Sequence, residues 1–66
     1  MDIQLNGEPR QTEVDTTIAR LLADEGLAER RVAVEVNGEI IPRSQHPTRL
    51  LHEADRVEIV HALGGG

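Results

Sequence analysis

The fold is decided by the stretch Val32-Ala33-Val34-Glu35-Val36-Asn37-Gly38-Glu39-Ile40-Ile41. Its first half alternates valine with alanine and glutamate, which is the period-two pattern of a strand with one buried face. The Asn-Gly pair that follows favours a two-residue hairpin turn, because both residues accept positive φ. Residues 39–41 then form the returning strand, so this stretch predicts a hairpin with a central strand.

The N-terminal segment repeats this pattern as Ile3-Gln4-Leu5-Asn6-Gly7-Glu8-Pro9. Alternation followed by Asn-Gly predicts a second hairpin, whose returning strand we place around residues 10–14. That strand is polar and follows Pro9, as expected of a strand near the edge of a sheet.

A helix is predicted between the two hairpins, from about residue 17 to residue 25. Residues 15–17, Asp-Thr-Thr, supply candidates for its N-cap. Its apolar stripe consists of Ile18, Leu21 and Leu22. Gly26 can adopt the left-handed conformation that ends a helix, and Leu27 can then fold back on the last turn in a Schellman motif.

The remaining third of the chain predicts a loop and a final strand. Pro42 and Pro47 bracket a polar loop, after which Leu50 and Leu51 are expected to anchor a turn of irregular or 3₁₀ helix. The final strand covers residues 57–62. We expect Val57, Ile59 and His61 on one of its faces, and Glu58, Val60 and Ala62 on the other.

Two hairpins, one helix and a final strand predict an α+β fold, in which a mixed sheet of four to five strands packs on one α-helix. This is the ubiquitin-like β-grasp arrangement. We assign residues 1–63 to the β-grasp domain and residues 64–66 to a flexible tail.

The composition narrows the possible functions. The chain has 66 residues, no cysteine, no aromatic residue and a formal net charge of -5. A domain of this size has little room for a buried catalytic pocket, and without cysteine it has no disulfide or thiol nucleophile. Without aromatic or clustered basic residues it is not expected to bind nucleic acid.

No segment resembles a signal peptide or a membrane span, so we expect a cytoplasmic protein without membrane contact.

The titratable residues form no recognisable catalytic or metal-binding motif. The spacing of His46, His52 and His61 fits no metal motif, and the acidic residues suggest no acid–base pair. The terminal glycines lack the following helix and lysine of a phosphate-binding loop. We therefore expect a protein that is not an enzyme and binds no metal or cofactor.

The last three residues, Gly64, Gly65 and Gly66, directly follow the final strand. Terminal glycines are often a frayed end or a linker remnant. These, however, contribute no side chain to the core and lose much conformational freedom when ordered, so they do not stabilise the fold. We predict that Gly64 and Gly65 enter the active site of a partner and present the carboxylate of Gly66 there.

A partner that handles Gly66 has to contact the domain where the tail leaves it. Val60 and Ala62 form a small apolar area beside that point, and Leu63 is the candidate anchor. We predict that these three residues bind the partner.

Three segments of the chain resemble the ThiS family, the sulfur carriers of the thiamin pathway. They are residues 3–7, residues 34–43 and residues 55–66, the last reading Asp-Arg-Val-Glu-Ile-Val-His-Ala-Leu-Gly-Gly-Gly. The chain departs from the family pattern at Ala54, where glycine is frequent, and at Ala62, where relatives can carry an aromatic residue. The first departure concerns a turn and the second the fit to a partner.

This resemblance implies that an adenylating enzyme related to ubiquitin activators transfers AMP to the Gly66 carboxylate. Sulfur from a persulfide on another protein then displaces AMP and leaves a thiocarboxylate, which thiazole synthase uses. ATP and Mg²⁺ belong to the adenylating enzyme. Three alternatives remain open: the small subunit of molybdopterin synthase, a ubiquitin-like modifier joined to target lysines, and an interaction domain with an inert tail.

Overall fold

Two Asn-Gly hairpins flank a helix in the computed structural model, which describes residues 1–61. β1 spans Asp2–Leu5 and pairs antiparallel with β2, Glu8–Gln11. β3 spans Val32–Val36 and pairs antiparallel with β4, Glu39–Ile41. The turn residues all have positive φ: Asn6 51°, Gly7 83°, Asn37 53° and Gly38 85°. This is the geometry of type I′ turns, whose twist matches that of the strands they join.

The position of β2 corrects the predicted one. β2 begins at Glu8 because the two-residue turn pairs Leu5 directly with that residue. Met1 and Thr12 also exchange backbone hydrogen bonds, at 2.6 and 2.9 Å, beyond the end of the hairpin. Since hydrogen-bonded and non-hydrogen-bonded pairs alternate, Pro9 lies at a non-hydrogen-bonded position. Its missing N–H therefore removes no bond from the ladder, and β2 can be an edge strand.

Helix α1 spans Ile18–Asp24 and is capped at both ends as predicted. At its start, the Thr17 hydroxyl accepts a hydrogen bond of 3.1 Å from the backbone N–H three residues later. At its end, Gly26 has a φ of 75°, and the N–H of Leu27 donates to the carbonyl of Leu22 at 2.8 Å. This is the long hydrogen bond of a Schellman motif. In residues 1–61, no helix has the length and hydropathy that would let it cross a membrane.

The last described strand, β5, spans Arg56–His61 and lies in the middle of the sheet. The strand order is β2-β1-β5-β3-β4. β5 pairs parallel with β1 and antiparallel with β3, so the sheet is mixed. The predicted α+β architecture, a mixed sheet of four to five strands on one helix, is confirmed, and the sheet has five strands.

The core lies between α1 and one face of the sheet. Its buried residues are Ile3, Leu5, Ile18, Leu21, Leu22, Val34, Val36, Ile41, Leu51, Val57 and Ile59. The 3₁₀ helix occupies Arg43–Gln45, within the proline-bracketed loop, and the expectation that it lies at Leu50 and Leu51 is wrong. Leu50 instead forms an isolated bridge with Thr17, and the N–H of Leu51 donates to Thr16. These bonds hold the segment extended beside the start of α1.

Candidate functional site

β5 leads towards the glycine residues and is held on both sides by neighbouring strands. Val57 and Ile59 point into the core and are almost fully buried. The strand pairs with β1 at residues 56 and 57 and with β3 at residues 57–61. Among residues 1–61, the end of β5 from which the tail continues, Val60 and His61, pairs with β3 alone.

The asparagines of both hairpin turns bind β5 through their side chains. Asn6 Oδ1 accepts a hydrogen bond of 2.8 Å from the N–H of Ile59, and Asn37 Oδ1 accepts one of 2.9 Å from the N–H of Arg56. The backbone N–H of each asparagine also donates to β5, to the carbonyls of Val57 and Arg56 respectively. Each side-chain oxygen thus continues the ladder where the backbone turns away. The sequence predicted these residues only as turn formers.

The start of β5 is fixed by Asp55, which is buried. Its Oδ1 accepts a hydrogen bond of 3.0 Å from Asn37 Nδ2, and its Oδ2 accepts one of 2.8 Å from the N–H of His52. Ala54, at the tip of this turn, has a φ of 69° and donates its N–H to Asp2 at 2.7 Å. A left-handed backbone favours glycine over alanine, so the departure from glycine at position 54 affects the conformation of this turn.

The end of β5 exposes the first of the predicted partner-binding residues. Val60 lies on the face of the sheet opposite the helix, paired with Ala33, and is 55% exposed. His61 follows Ile59 by two positions, opposite Val32 of β3, and is exposed at the end of the strand. The partner-binding role of Val60 stays a prediction.

Five residues with predicted roles lie outside the described part of the chain. They are Ala62, Leu63, Gly64, Gly65 and Gly66. Partner binding by the first two, tail entry by Gly64 and Gly65, and sulfur attachment at Gly66 therefore stay predictions.

The histidines are separated in the structure. His46 is buried, with Nε2 3.1 Å from the carbonyl oxygen of Ile41. His52 places Nδ1 3.9 Å from Oδ2 of Asp55, and His61 is exposed at the strand end. Within residues 1–61, no three histidine, aspartate or glutamate side chains lie close enough together to hold a metal ion.

The outer face of the sheet carries a pair of residues that the sequence did not single out. Glu35 of β3 and Glu58 of β5 are directly opposite each other. Both occupy outward positions in their strands, which alternation does predict. Their juxtaposition depends on the register between two strands that are distant in sequence, and no local motif sets it.

A five-stranded mixed sheet on one helix, with the strand before the tail at its centre, defines a ubiquitin-like β-grasp protein. A model of the ThiS family matches residues 3–66. The chain belongs to the ThiS family.

Known proteins similar to this chain include carriers, an enzyme and a solved structure. Sulfur carrier protein ThiS of Bacillus subtilis is 43% identical over 65 residues, covering 97% of this chain and 98% of that protein. Thiazole synthase of Magnetococcus marinus is 44% identical over 66 residues, and the chain spans only 20% of its length. The crystal structure of thiamine biosynthesis protein ThiS from Geobacter metallireducens superposes with a TM-score of 0.87 at 29% identity, with both chains fully covered.

Proposed function

We propose that this protein is a sulfur carrier of thiamin biosynthesis, which receives sulfur as a thiocarboxylate at Gly66 and donates it for thiazole formation. The observation that carries the proposal is the ThiS family match, which extends through the glycines to residue 66. The names of the Bacillus subtilis and Geobacter metallireducens relatives support it.

The chemistry explains why a partner enzyme is required. A C-terminal carboxyl group has a pKa of about 3.3 to 3.7 in peptides, so it is an anion at neutral pH and resists nucleophiles. When a carboxylate oxygen attacks the α-phosphorus of ATP, pyrophosphate leaves and an acyl-adenylate forms. The terminal sulfur of a persulfide then attacks the acyl carbon and AMP leaves. Reduction of the resulting acyl disulfide by a thiol releases the thiocarboxylate.

The contribution of this chain is a rigid base and a narrow extension. The five residues that follow His61 can reach at most about 17 Å when fully extended. Gly64 and Gly65 have no Cβ, so this extension fits a channel that would exclude other residues. The adenylating enzyme supplies ATP, Mg²⁺ and the cationic groups that offset repulsion between the tail and the triphosphate. Val60, Ala62 and Leu63 contact that enzyme at the channel entrance.

Thiazole synthase is the proposed consumer of the sulfur. In Magnetococcus marinus, a protein named thiazole synthase contains a segment similar to the whole of this chain. Carrier-like and synthase sequence in one polypeptide supports the proposal that the two functions are used together.

The proposed function is tested by weighing the intact protein after incubation with the adenylating enzyme of the same organism, ATP, Mg²⁺ and a persulfide donor. We expect the mass change of one oxygen-to-sulfur exchange. A variant that lacks Gly65 and Gly66 should show no exchange, although its melting temperature should match that of the parent. Absence of exchange in the parent protein would contradict the proposal.

A second measurement separates the carrier from its alternatives. The thiocarboxylate form is added to thiazole synthase and its other substrates, and thiazole formation is followed. Two parallel incubations test the alternatives. Sulfur transfer that forms a dithiolene instead of a thiazole would indicate the small subunit of molybdopterin synthase. Thiol-resistant adducts on lysines of other proteins in a cell lysate would indicate a modifier.

A further inference from the structure

Among residues 1–61, the last hydrogen bond that β5 makes on its β1 side comes from a side chain. Strand pairing with β1 ends at Val57. Beyond that pair, Asn6 Oδ1 accepts a hydrogen bond of 2.8 Å from the N–H of Ile59. The last two residues of β5 then pair with β3 alone within the described chain. Asn6 is therefore the final attachment of this strand on one of its two sides.

Asn6 takes the place of a strand residue at this position. In a parallel ladder, one residue bonds through its N–H and its carbonyl to two residues of the neighbouring strand that lie two positions apart. The N–H of Asn6 donates to the carbonyl of Val57 at 2.9 Å, and its Oδ1 accepts from Ile59. Because its backbone has a φ of 51° and turns into the hairpin, the side-chain oxygen supplies the acceptor that a carbonyl would supply in a longer strand.

The direction in which β5 ends depends on whether both of its sides are held. Two paired strands twist more strongly than the same strands within a wider sheet. Without the bond from Asn6, residues 58–61 would pair with β3 alone, and we expect their direction to change by about 10°, within the range of strand twist. From Ile59 to Gly66 the chain reaches at most about 23 Å, so this change would displace the terminal carboxylate by up to about 4 Å.

We propose that Asn6 is a positioning residue for the adenylation of Gly66, acting through Ile59 and β5 without contacting ATP. This inference rests on the proposed function, because it assumes that the Gly66 carboxylate is delivered to ATP in a partner enzyme. Reaction requires the two reacting atoms to lie about 3 to 3.5 Å apart, and a misplacement of about 1 Å can cost about a hundredfold in rate. A displaced strand end leaves fewer bound molecules with the carboxylate in reach of the α-phosphorus.

Asn37 provides the comparison within the same chain. It also accepts a hydrogen bond from β5 through Oδ1, but from Arg56 at the start of the strand. Its Nδ2 additionally donates to the buried Asp55, so loss of this side chain should lower stability at least as much as loss of the Asn6 side chain. The two asparagines thus separate an effect at the end of β5 from a general loss of stability.

The test measures ATP–pyrophosphate exchange by the adenylating enzyme of the same organism, with the parent and three variants as carriers, below the melting temperature of each. Asn6→Gly keeps the positive φ of the turn and removes the acceptor for Ile59. We expect its kcat to fall at least about tenfold and its KM to change less than about threefold, because the residues predicted to bind the enzyme are intact. Asn6→Asp keeps an acceptor oxygen, and its kcat should stay within about twofold of the parent.

The third variant, Asn37→Gly, is the matched control, and its kcat should stay within about threefold of the parent although it melts at a lower temperature. If it does not fold, Thr17→Ala replaces it, because that change weakens the helix cap without touching β5. Amide hydrogen exchange checks the contact itself. In Asn6→Gly, the N–H of Ile59 should exchange at least about tenfold faster relative to the other amides of β5.

The outcomes distinguish this inference from the proposed function. A parent that is loaded at Gly66, together with a parent-like kcat for Asn6→Gly, overturns the positioning role and leaves the carrier function standing. An equal loss of kcat in the control, an equal loss in Asn6→Asp, or a loss confined to KM also overturns it, as does an unchanged exchange rate at Ile59. A parent that is never adenylated contradicts the proposed function, and this inference with it.

Discussion

Substitution of Asn37 by aspartate should weaken the protein strongly, although the two side chains have the same shape. Asn37 Nδ2 donates to Asp55 Oδ1 at 3.0 Å, while its Oδ1 accepts from the N–H of Arg56 at 2.9 Å. Aspartate keeps the second hydrogen bond and tolerates the positive φ of the turn. It loses the first one and places a second carboxylate against the buried Asp55.

The expected loss is about 3 kcal/mol in the free energy of unfolding. A hydrogen bond to a charged group contributes about 1.5 to 3 kcal/mol. The new repulsion adds to this, and the exposed position of residue 37 limits it because the side chain can turn towards water. A domain of 66 residues has a total stability of about 3 to 10 kcal/mol. The variant should therefore melt at least about 12 °C below the parent.

The chain offers a matched control in its other hairpin. Asn6 has a similar positive φ and accepts from the N–H of Ile59, but its Nδ2 has no hydrogen-bond partner among residues 1–61. Asn6→Asp should therefore change stability by less than about 0.5 kcal/mol. Urea unfolding followed by circular dichroism measures both variants under the same conditions.

A charge-swapped double variant checks the assigned contact. With Asn37→Asp and Asp55→Asn together, the amide at position 55 can donate to the new carboxylate and still accept from the N–H of His52. Most of the lost stability should return. Equal losses in the Asn6 and Asn37 variants, or no recovery in the swap, would refute the reasoning.

Three further substitutions test the fold. Ala54→Gly should stabilise the protein by about 0.5 to 1 kcal/mol, because it relieves the strain of a left-handed backbone at alanine, and this gain exceeds the cost of a more flexible unfolded chain. A lower free energy of unfolding in urea would argue against this. Thr17→Ala should remove the helix cap and lower the free energy of unfolding by about 1 kcal/mol. An unchanged midpoint of urea unfolding would show that the cap does not contribute to stability. Leu21→Ala should cost about 2 to 5 kcal/mol, since Leu21 is almost fully buried; a smaller effect on the melting temperature would mean that the core readjusts around it.

The parts of the fold that the sequence predicted well depend on local signals. Asn-Gly pairs set both hairpins, since only a few residue types accept positive φ at two successive positions. Gly26 and Leu27 set the end of the helix through hydrogen bonds within five residues. The burial of Val34, Val36 and Val57 likewise follows from the sequence, because apolar residues at every second position of a strand lie on one face.

The parts that it missed depend on contacts between distant segments. The opposition of Glu35 and Glu58 requires the register of β3 against β5. The hydrogen bond between the Asn6 side chain and the N–H of Ile59 spans 53 positions, and no property of the Asn-Gly pair predicts it. Alternation places His61 with Val57 and Ile59, but it does not show that the core ends before position 61, where the side chain is exposed.

The position of β5 also has a consequence for how the molecule assembles. Hairpins close within microseconds because their contacts are local, so β1–β2 and β3–β4 can each form early. These two units have no strand pairing with each other in residues 1–61, because β5 lies between them. Insertion of β5 is therefore the slow, long-range event that unites them. The same event sets the direction in which the chain continues beyond residue 61, so a molecule that has not finished folding cannot present a correctly placed terminus to an enzyme.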